Sequence, residues 1–222
     1  MTEATRSDAD PGRLVAVCVV HELRDDPHGD VRRTAIDKRP VDGPIRIDVL
    51  GPVGDTVMDR KHHGGPDQAV YAYAREDLDR WSLRLTRDLP SGSFGENLTT
   101  EGIDVTGAVI GERWLVGAVE LVVRSPRMPC RTFQDWMGEP QWVKRFTDAG
   151  APGAYLSVAV PGAVEAGDEI VVMHRPDHGV TVHDAFKGRG ADADRLRLLL
   201  DVEDLAPDLR ARLGRIVSTA GL

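Results

Sequence analysis

The feature that most constrains the fold of this chain is a series of short segments rich in valine, isoleucine and tyrosine. Each segment is bounded by glycine, proline or aspartate, as short strands joined by turns usually are. Repeated turns between short strands favour a β-barrel or a β-sandwich. The sequence therefore predicts a mainly β protein with strands at residues 13–21, 44–50, 68–74, 114–125, 153–160 and 168–174.

Two segments inside this pattern have the spacing of amphipathic helices. In "AREDLDRWSLRLTR", Leu78, Trp81 and Leu85 recur at intervals that place them on one helical face. In "PQWVKRFTDAG", Pro140 suits the first turn of a helix and Gly150 suits its C-terminal end. We therefore expect two helices within the β-rich part of the chain.

The character of the sequence changes after about residue 178. Apolar residues there recur at helical spacing, and a proline separates two such stretches: Leu196, Leu199 and Leu200, then Leu209, Leu213 and Val217. We interpret residues 1–178 as the main β domain and residues 179–222 as a small C-terminal helical region. A helical pair this short buries too little surface to be stable alone, so we expect it to pack on the main domain or on a partner.

The charge and hydropathy of the chain argue against several classes of protein. A formal net charge of −8 and a pI near 5.4 are unlike those of general nucleic-acid or anionic-membrane binders, which usually carry a basic face. No apolar stretch approaches the roughly 20 residues that span a bilayer, and the start "MTEATRSDADPG" lacks the order of a signal peptide. We expect a cytoplasmic protein that binds neither nucleic acid nor membrane.

The two cysteines lie in different sequence surroundings. Cys18 is flanked by aliphatic residues in "RLVAVCVVH" and is predicted to be a small core residue. Cys130 follows a proline in "SPRMPC", directly after an apolar segment and close to Arg127 and Arg131. In a cytoplasmic chain we expect both thiols to be reduced rather than joined. By itself, Cys130 is compatible with an inert thiol at the end of a strand.

A glycine pair lies in the polar stretch "GDTVMDRKHHGGPDQAVYAY". Gly64 and Gly65 let the backbone take positive φ and approach a ligand closely, so that amide groups can cradle an oxygen-rich anion. The alternative is a hairpin turn with polar residues, in which Asp55 and Asp59 hold the loop by accepting backbone N–H groups. The adjacent histidines lack the usual spacing of zinc ligands.

A third polar stretch, "SGSFGENLTT", contains Glu96 and Asn97 between two apolar anchors. On its own it is typical of a surface loop. Together, however, "HHGGPDQAVYAY", "FGENLT" and "RMPC" followed by Phe133 occur in the order that is typical of one family. The chain resembles the MOSC domain, which is named for its occurrence at the C-terminus of molybdenum-cofactor sulfurases, over roughly residues 38–174.

The resemblance implies a MOSC-type β-barrel core and a site that binds the molybdenum cofactor. Cys130 is the residue that would bind molybdenum or carry sulfur, and His63 would be a second catalytic residue that donates or shuttles a proton. The residues implied to bind the cofactor are Gly64, Gly65, Asp67, Glu96, Asn97, Arg127 and Arg131. The sequence leaves open which of Arg124, Arg127 and Arg131 faces the pocket. Gln68 stands where relatives commonly carry lysine.

The resemblance further implies a molybdenum-dependent oxidoreductase that reduces N-hydroxylated compounds, such as hydroxylaminopurine-type bases, by removing oxygen. An external reductase would supply the electrons, because the chain has no GxGxxG sequence that opens a helix after a strand. Stand-alone bacterial members of the family carry a short helical region after the barrel, and a homodimer remains open. The alternative is a carrier of the cofactor or of persulfide sulfur that reduces no substrate.

Overall fold

The computed structural model describes residues 11–59, 63–188, 193–202 and 205–219. Most of its secondary structure is strand, as the sequence predicts. The strands are β1 Gly12–Asp25, β2 Arg33–Pro40, β3 Ile45–Asp48, β4 Gly51–Pro52, β5 Val70–Ala74, β6 Leu98–Glu101, β7 Arg113–Val116, β8 Val119–Pro126, β9 Ala154–Val160, β10 Gly162–Val164 and β11 Glu169–His174. The helices are α1 Arg75–Leu85, α2 Arg131–Met137, α3 Trp142–Ala149, α4 Val182–Lys187, α5 Ala193–Leu200 and α6 Pro207–Thr219. A short 3-10 helix, Pro66–Gln68, precedes β5.

The strands form a closed barrel. Within the described part of the chain, seven strands pair in the order β11-β7-β8-β9-β5-β6-β1, and β1 returns to pair with β11. All of these pairs are antiparallel except β5 with β6, which are parallel. β2 extends the sheet from β1, and a separate small sheet has the order β10-β3-β4. The structure therefore confirms the predicted β-barrel with a few helices.

One predicted strand is wrong in its extent. The apolar run at 114–125 was expected to be a single strand, but it forms the hairpin of β7 and β8. The chain turns at Gly117, whose φ of 54° lies in the left-handed region that glycine adopts readily. Leu115 on this hairpin is partly exposed, whereas Leu121 is fully buried. Continuous hydrophobicity therefore concealed a turn that a single glycine permits.

The two predicted helices are present, with one correction. In α1, Leu78 and Trp81 are buried, as the apolar spacing indicates. α3 begins at Trp142 after a left-handed Gln141, so Pro140 lies before the helix rather than in its first turn. Gly150 ends α3 in the left-handed conformation, as expected. The short helix α2, directly after Cys130, was not predicted.

The C-terminal helices pack on the barrel of the same chain. The side chains of Leu196, Leu199, Leu209 and Leu213 are buried in the apolar cluster that also contains the barrel interior. α4, which precedes these two helices, is also bonded to the main domain, since the N–H of Val182 donates to the carbonyl of Ala108 at 2.9 Å. These leucines are therefore covered within the chain and are not available to dock on a partner.

A second cluster consists of aromatic side chains and lies between the barrel and the first three helices. It includes Tyr73, Trp81, Phe94, Phe133, Trp142 and Phe146. Phe133 contacts Phe94 and Phe146 edge to face, with both centroid distances at 5.2 Å. Such contacts stabilise by more than the burial of area alone. The cluster fixes α2 and, with it, the position of Cys130 at the start of that helix.

Among the described residues, no helix is both long enough and apolar enough to cross a membrane.

Candidate active site

A cavity of about 440 Å³ opens at the point where β2, β5 and the start of α2 meet. Its size is within the range of small-molecule and cofactor sites. Three of the sequence motifs contribute to its wall. The predicted site residues that line it are His63, Gly64, Gly65, Asn97, Arg127 and Cys130.

Cys130 has the environment of a reactive thiol. It is half-buried, and its burial by itself would disfavour the thiolate. The hydrogen bond from His63 and the positive charge of Arg127 outweigh this cost and lower the pKa of Cys130 to about 7. A considerable fraction of the thiol is therefore ionised at neutral pH, as a metal ligand or a nucleophile requires.

Arg127 is the arginine that faces the cavity. It is only 6% exposed, and its guanidinium lies 3.6 Å above the ring centroid of Phe133 and 5.2 Å from that of Tyr71. Within the described part of the chain, its Nη1 has no hydrogen-bond partner. A buried donor without a partner is costly, and an arginine stays protonated. Arg127 therefore places a buried positive charge beside the cavity, a charge of the kind that binds anions.

The glycine loop has the backbone that the sequence predicts. Gly64 and Gly65 both have φ of 80°, in the region that favours glycine. The N–H of Gly64 donates to Oε1 of Gln68 at 3.2 Å. The side chain of Gln68 therefore closes the loop on itself. Apart from the adjacent residues, no atom of the described part of the chain lies within 4 Å of where a Cβ on Gly65 would be, so this side of Gly65 is open.

A buried ion pair that the sequence interpretation missed forms another part of the wall. Nζ of Lys38 lies 2.6 Å from Oδ2 of Asp55, and both side chains are at most 10% exposed. Asp55 also accepts from Nδ2 of Asn97 at 2.8 Å and from the N–H of Val20 at 3.0 Å. Asp55 therefore has the structural role proposed for it as an alternative. The isolated lysine in β2 carried no motif, and only the fold places it at the cavity.

Three predicted cofactor-binding residues do not line the cavity. Arg131 is exposed and pairs with Asp135 on α2, with Nε and Oδ1 at 2.9 Å. Asp67 accepts from Nε of Arg124 at 2.7 Å, which ties the 3-10 helix to β8. Both residues are close to the motifs in sequence, but their side chains hold the surrounding elements together instead.

Glu96 is the third of these residues, and its side chain is fully buried. Its carboxylate accepts from the N–H groups of Gly92 and Phe94 at 2.5 and 2.9 Å, and from Oγ1 of Thr99 at 3.1 Å. Burial raises the pKa of Glu96, although these hydrogen bonds oppose the shift. Glu96 therefore shapes its loop from within and does not form a wall for a cofactor.

The chain matches a known domain family over much of its length. Residues 59–171, which include the glycine loop, Arg127 and Cys130, match the MOSC domain. The chain belongs to the MOSC domain family. It is 31% identical over 163 residues to the uncharacterized protein YflK of Bacillus subtilis, covering 73% of this chain and 74% of that protein. It is also 31% identical over 155 residues to protein YiiM of Escherichia coli, covering 68% and 69%.

Solved structures of MOSC relatives share the fold. The crystal structure of YiiM from Geobacillus stearothermophilus aligns with a TM-score of 0.77 at 24% identity, over 93% of this chain and all of that one. The crystal structure of YiiM from Escherichia coli aligns with a TM-score of 0.72 at 23% identity, over 94% of each chain. The MOSC domain is a molybdenum-cofactor sulfurase-type domain, so membership associates this chain with that cofactor.

Proposed function

We propose that this MOSC protein is a molybdenum-cofactor-dependent reductase that removes oxygen from N-hydroxylated compounds. One observation carries the proposal: a thiol with a pKa of about 7 and a buried guanidinium, one donor of which has no partner among the described residues, line the same cavity. The thiolate suits a soft metal, and the guanidinium suits an anion. A cofactor in which an anionic organic molecule holds a metal would supply both partners.

The residues present fit such a cofactor. The thiolate of Cys130 is the kind of ligand that soft or borderline metals prefer. Nη1 of Arg127 would bind an anionic oxygen of the cofactor and so satisfy a buried donor that none of the described residues satisfies. The open space beside Gly65 would accept part of the cofactor against the backbone. Lys38 also lines the cavity, where its positive charge is paired with Asp55.

The chain's own side chains would bind the cofactor and manage protons. When bound, the molybdenum cofactor supplies oxygen-atom transfer and two-electron chemistry. His63 would keep Sγ of Cys130 ionised by its hydrogen bond and would hold a proton close to the reacting oxygen. The overall reaction is R–NHOH + 2 e⁻ + 2 H⁺ → R–NH₂ + H₂O. The electrons would come from a separate reductase, and the substrate is a small molecule.

The proposal is tested by expressing the protein in a host that makes the molybdenum cofactor. We expect molybdenum and pterin in near-stoichiometric amounts and reduction of an N-hydroxylated substrate with an artificial electron donor. Cys130→Ser should lower turnover by a factor on the order of 100 or more, because a neutral hydroxyl is a poor ligand for a soft metal. Full activity in Cys130→Ser, or purified protein without molybdenum and pterin, would contradict the proposal.

The second candidate function is that of a carrier for persulfide sulfur. It is favoured by one feature, namely that Cys130 is accessible from the cavity and activated by His63, as a sulfur acceptor must be. In this case the protein would carry cyanide-releasable sulfur on Cys130 and would reduce no N-hydroxylated compound. Measuring that sulfur together with molybdenum in the same preparation separates the two functions.

A further inference from the structure

We infer that Val31 and Leu50, here called the rim pair, select substrates with a flat apolar ring over small polar ones. Both side chains line the cavity. The inference deepens the proposed function and rests on it, because it concerns the part of an N-hydroxylated substrate that does not react. The proposed reaction requires only the N–O group, so nothing in the chemistry itself calls for an apolar entrance.

The cavity changes in character from its base to its mouth. At the base, Arg127 is 6% exposed and lies beside Cys130. At the mouth, Val31 is 41% exposed and Leu50 is 67% exposed, although both are large aliphatic side chains. Single exposed aliphatic residues are common, but two on one cavity that has a polar base are arranged as in ligand sites. The polar base suits the cofactor, and the apolar mouth suits the part of the substrate that does not react.

Val31 is presented by a fixed loop between β1 and β2. Oδ1 of Asp26 accepts from the N–H of Gly29 at 2.9 Å, and Oδ2 accepts from Oγ1 of Thr132 at 2.6 Å. The second bond joins the loop to α2, two residues after Cys130 in the chain. The N–H of Asp26 also donates to the carbonyl of Arg32 at 2.9 Å. The loop is therefore held in one shape, and Val31 needs little ordering when a ligand binds.

Leu50 is presented by the turn between β3 and β4, which is equally constrained. Gly51 follows it with φ of 120°, and a Cβ there would lie 2.4 Å from the carbonyl oxygen of Ala69. The turn is thus packed directly on the segment that continues from the glycine loop. Leu50 therefore keeps its place relative to Gly65 and the cavity, and the rim pair is a preformed feature.

A ring that enters the cavity past the rim pair would bury apolar surface against these side chains. Apolar burial stabilises by about 25 cal/mol per Å², so loss of one aliphatic contact is expected to weaken binding of the ring about tenfold. Hydroxylamine itself has no ring and would gain little from these contacts. Substitutions in the rim pair should therefore change the ratio of kcat/KM for a ring-containing substrate to that for hydroxylamine, and should leave the chemistry at Cys130 unchanged.

The test on the cofactor-loaded protein compares N-phenylhydroxylamine with hydroxylamine. We expect Val31→Ser and Leu50→Ser each to lower the ratio of kcat/KM for the two substrates about tenfold, through KM for N-phenylhydroxylamine. Leu83→Ser is the matched control, because Leu83 is 82% exposed on α1 and is outside the cavity. An unchanged ratio in both rim variants would overturn the inference, whatever their absolute rates.

A binding experiment on the cofactor-free protein keeps the inference testable if the proposed function fails. With ¹³C-methyl-labelled valine and leucine, aniline should shift the methyl resonances of Val31 and Leu50 and leave those of Leu83 in place. Loss of reduction with these shifts present would reject the proposed function and support the rim pair as a ring-binding feature. Absence of the shifts would overturn the rim pair even if both hydroxylamines are reduced.

Discussion

Cys18 and Cys130 are the same residue type in two regions with opposite electrostatics. Cys18 lies on β1 with no exposed surface, and burial raises the pKa of its thiol, with a further contribution from the negative charge of Glu96. Cys130 is also largely shielded, yet its pKa falls to about 7. What differs is the presence of His63 and Arg127 beside the second thiol, which favour its ionised form.

Burial alone therefore does not identify the functional cysteine in this chain. In the region of Cys18, polar groups are occupied within the fold, as in the contacts of Asn97 with the carbonyl of Cys18 and with Asp55. In the region of Cys130, a buried donor of Arg127 has no hydrogen-bond partner among the residues that the structure describes. The functional cysteine is therefore recognised by a buried positive charge next to an activated thiol.

The largest expected effect is on thiol reactivity in the folded protein. At pH 7.5, iodoacetamide should alkylate Cys130 faster than Cys18 by a factor on the order of 100, because only the accessible thiolate reacts. Since the pKa of Cys130 is lowered to about 7, its rate should rise as pH increases through 7 and then level off. Peptide mass spectrometry measures both rates. Similar rates for the two thiols would remove the basis of the comparison.

A smaller effect should follow from removing the charge of Arg127. Arg127→Met keeps much of the side-chain bulk on Phe133 but loses the cation, so the midpoint of Cys130 alkylation should move upward toward the ordinary thiol value of about 8.5. At pH 7 the reaction should slow about tenfold or less. Arg131→Met is the control, because Arg131 is as close in sequence but lies outside the cavity. Equal shifts in the two variants would show that the cavity geometry is not responsible.

The smallest effect is expected at Cys18. Cys18→Ala should lower the free energy of unfolding by about 1 to 2 kcal/mol, as other small truncations of core residues do. Turnover should be retained, because Cys18 does not line the cavity. Urea unfolding and a turnover assay on the same preparation measure the two quantities. A large loss of turnover at nearly unchanged stability would mean that the two regions are coupled.

Much of the fold could be predicted because the barrel strands carry β-branched residues between turn signals. β2 was missed, since "RTAIDKRP" is rich in charged residues and ends in a proline. α2 was missed because seven residues give too little apolar periodicity. The hairpin at Gly117 was read as a continuous strand, because a turn of two small residues interrupts hydrophobicity only slightly.

Only those residues of the candidate site that belong to recognisable motifs could be predicted from the sequence. The glycine pair and Cys130 belong to recognisable motifs, and the cavity does bring them together. Arg131 and Glu96 are close to the motifs in sequence but do not line the cavity, because closeness in sequence does not reveal where a side chain points. Lys38 was missed for the opposite reason: it comes to the cavity only through the pairing of β2 with β1, which no local pattern encodes.

The pairing of the first strand with the last one has a consequence for synthesis. β1 pairs with β6 on one side and with β11 on the other, at Gly12 with Ile170 and at Arg13 with Glu169. A ribosome produces β1 first, and the C-terminal part of that strand can pair with β2 soon afterwards, but the N-terminal residues Gly12 and Arg13 lack their β11 partners until β11 has emerged. Contacts this distant in sequence form slowly. The barrel is therefore completed after translation of its last strand, and a ligand that needs the finished cavity must enter after that moment.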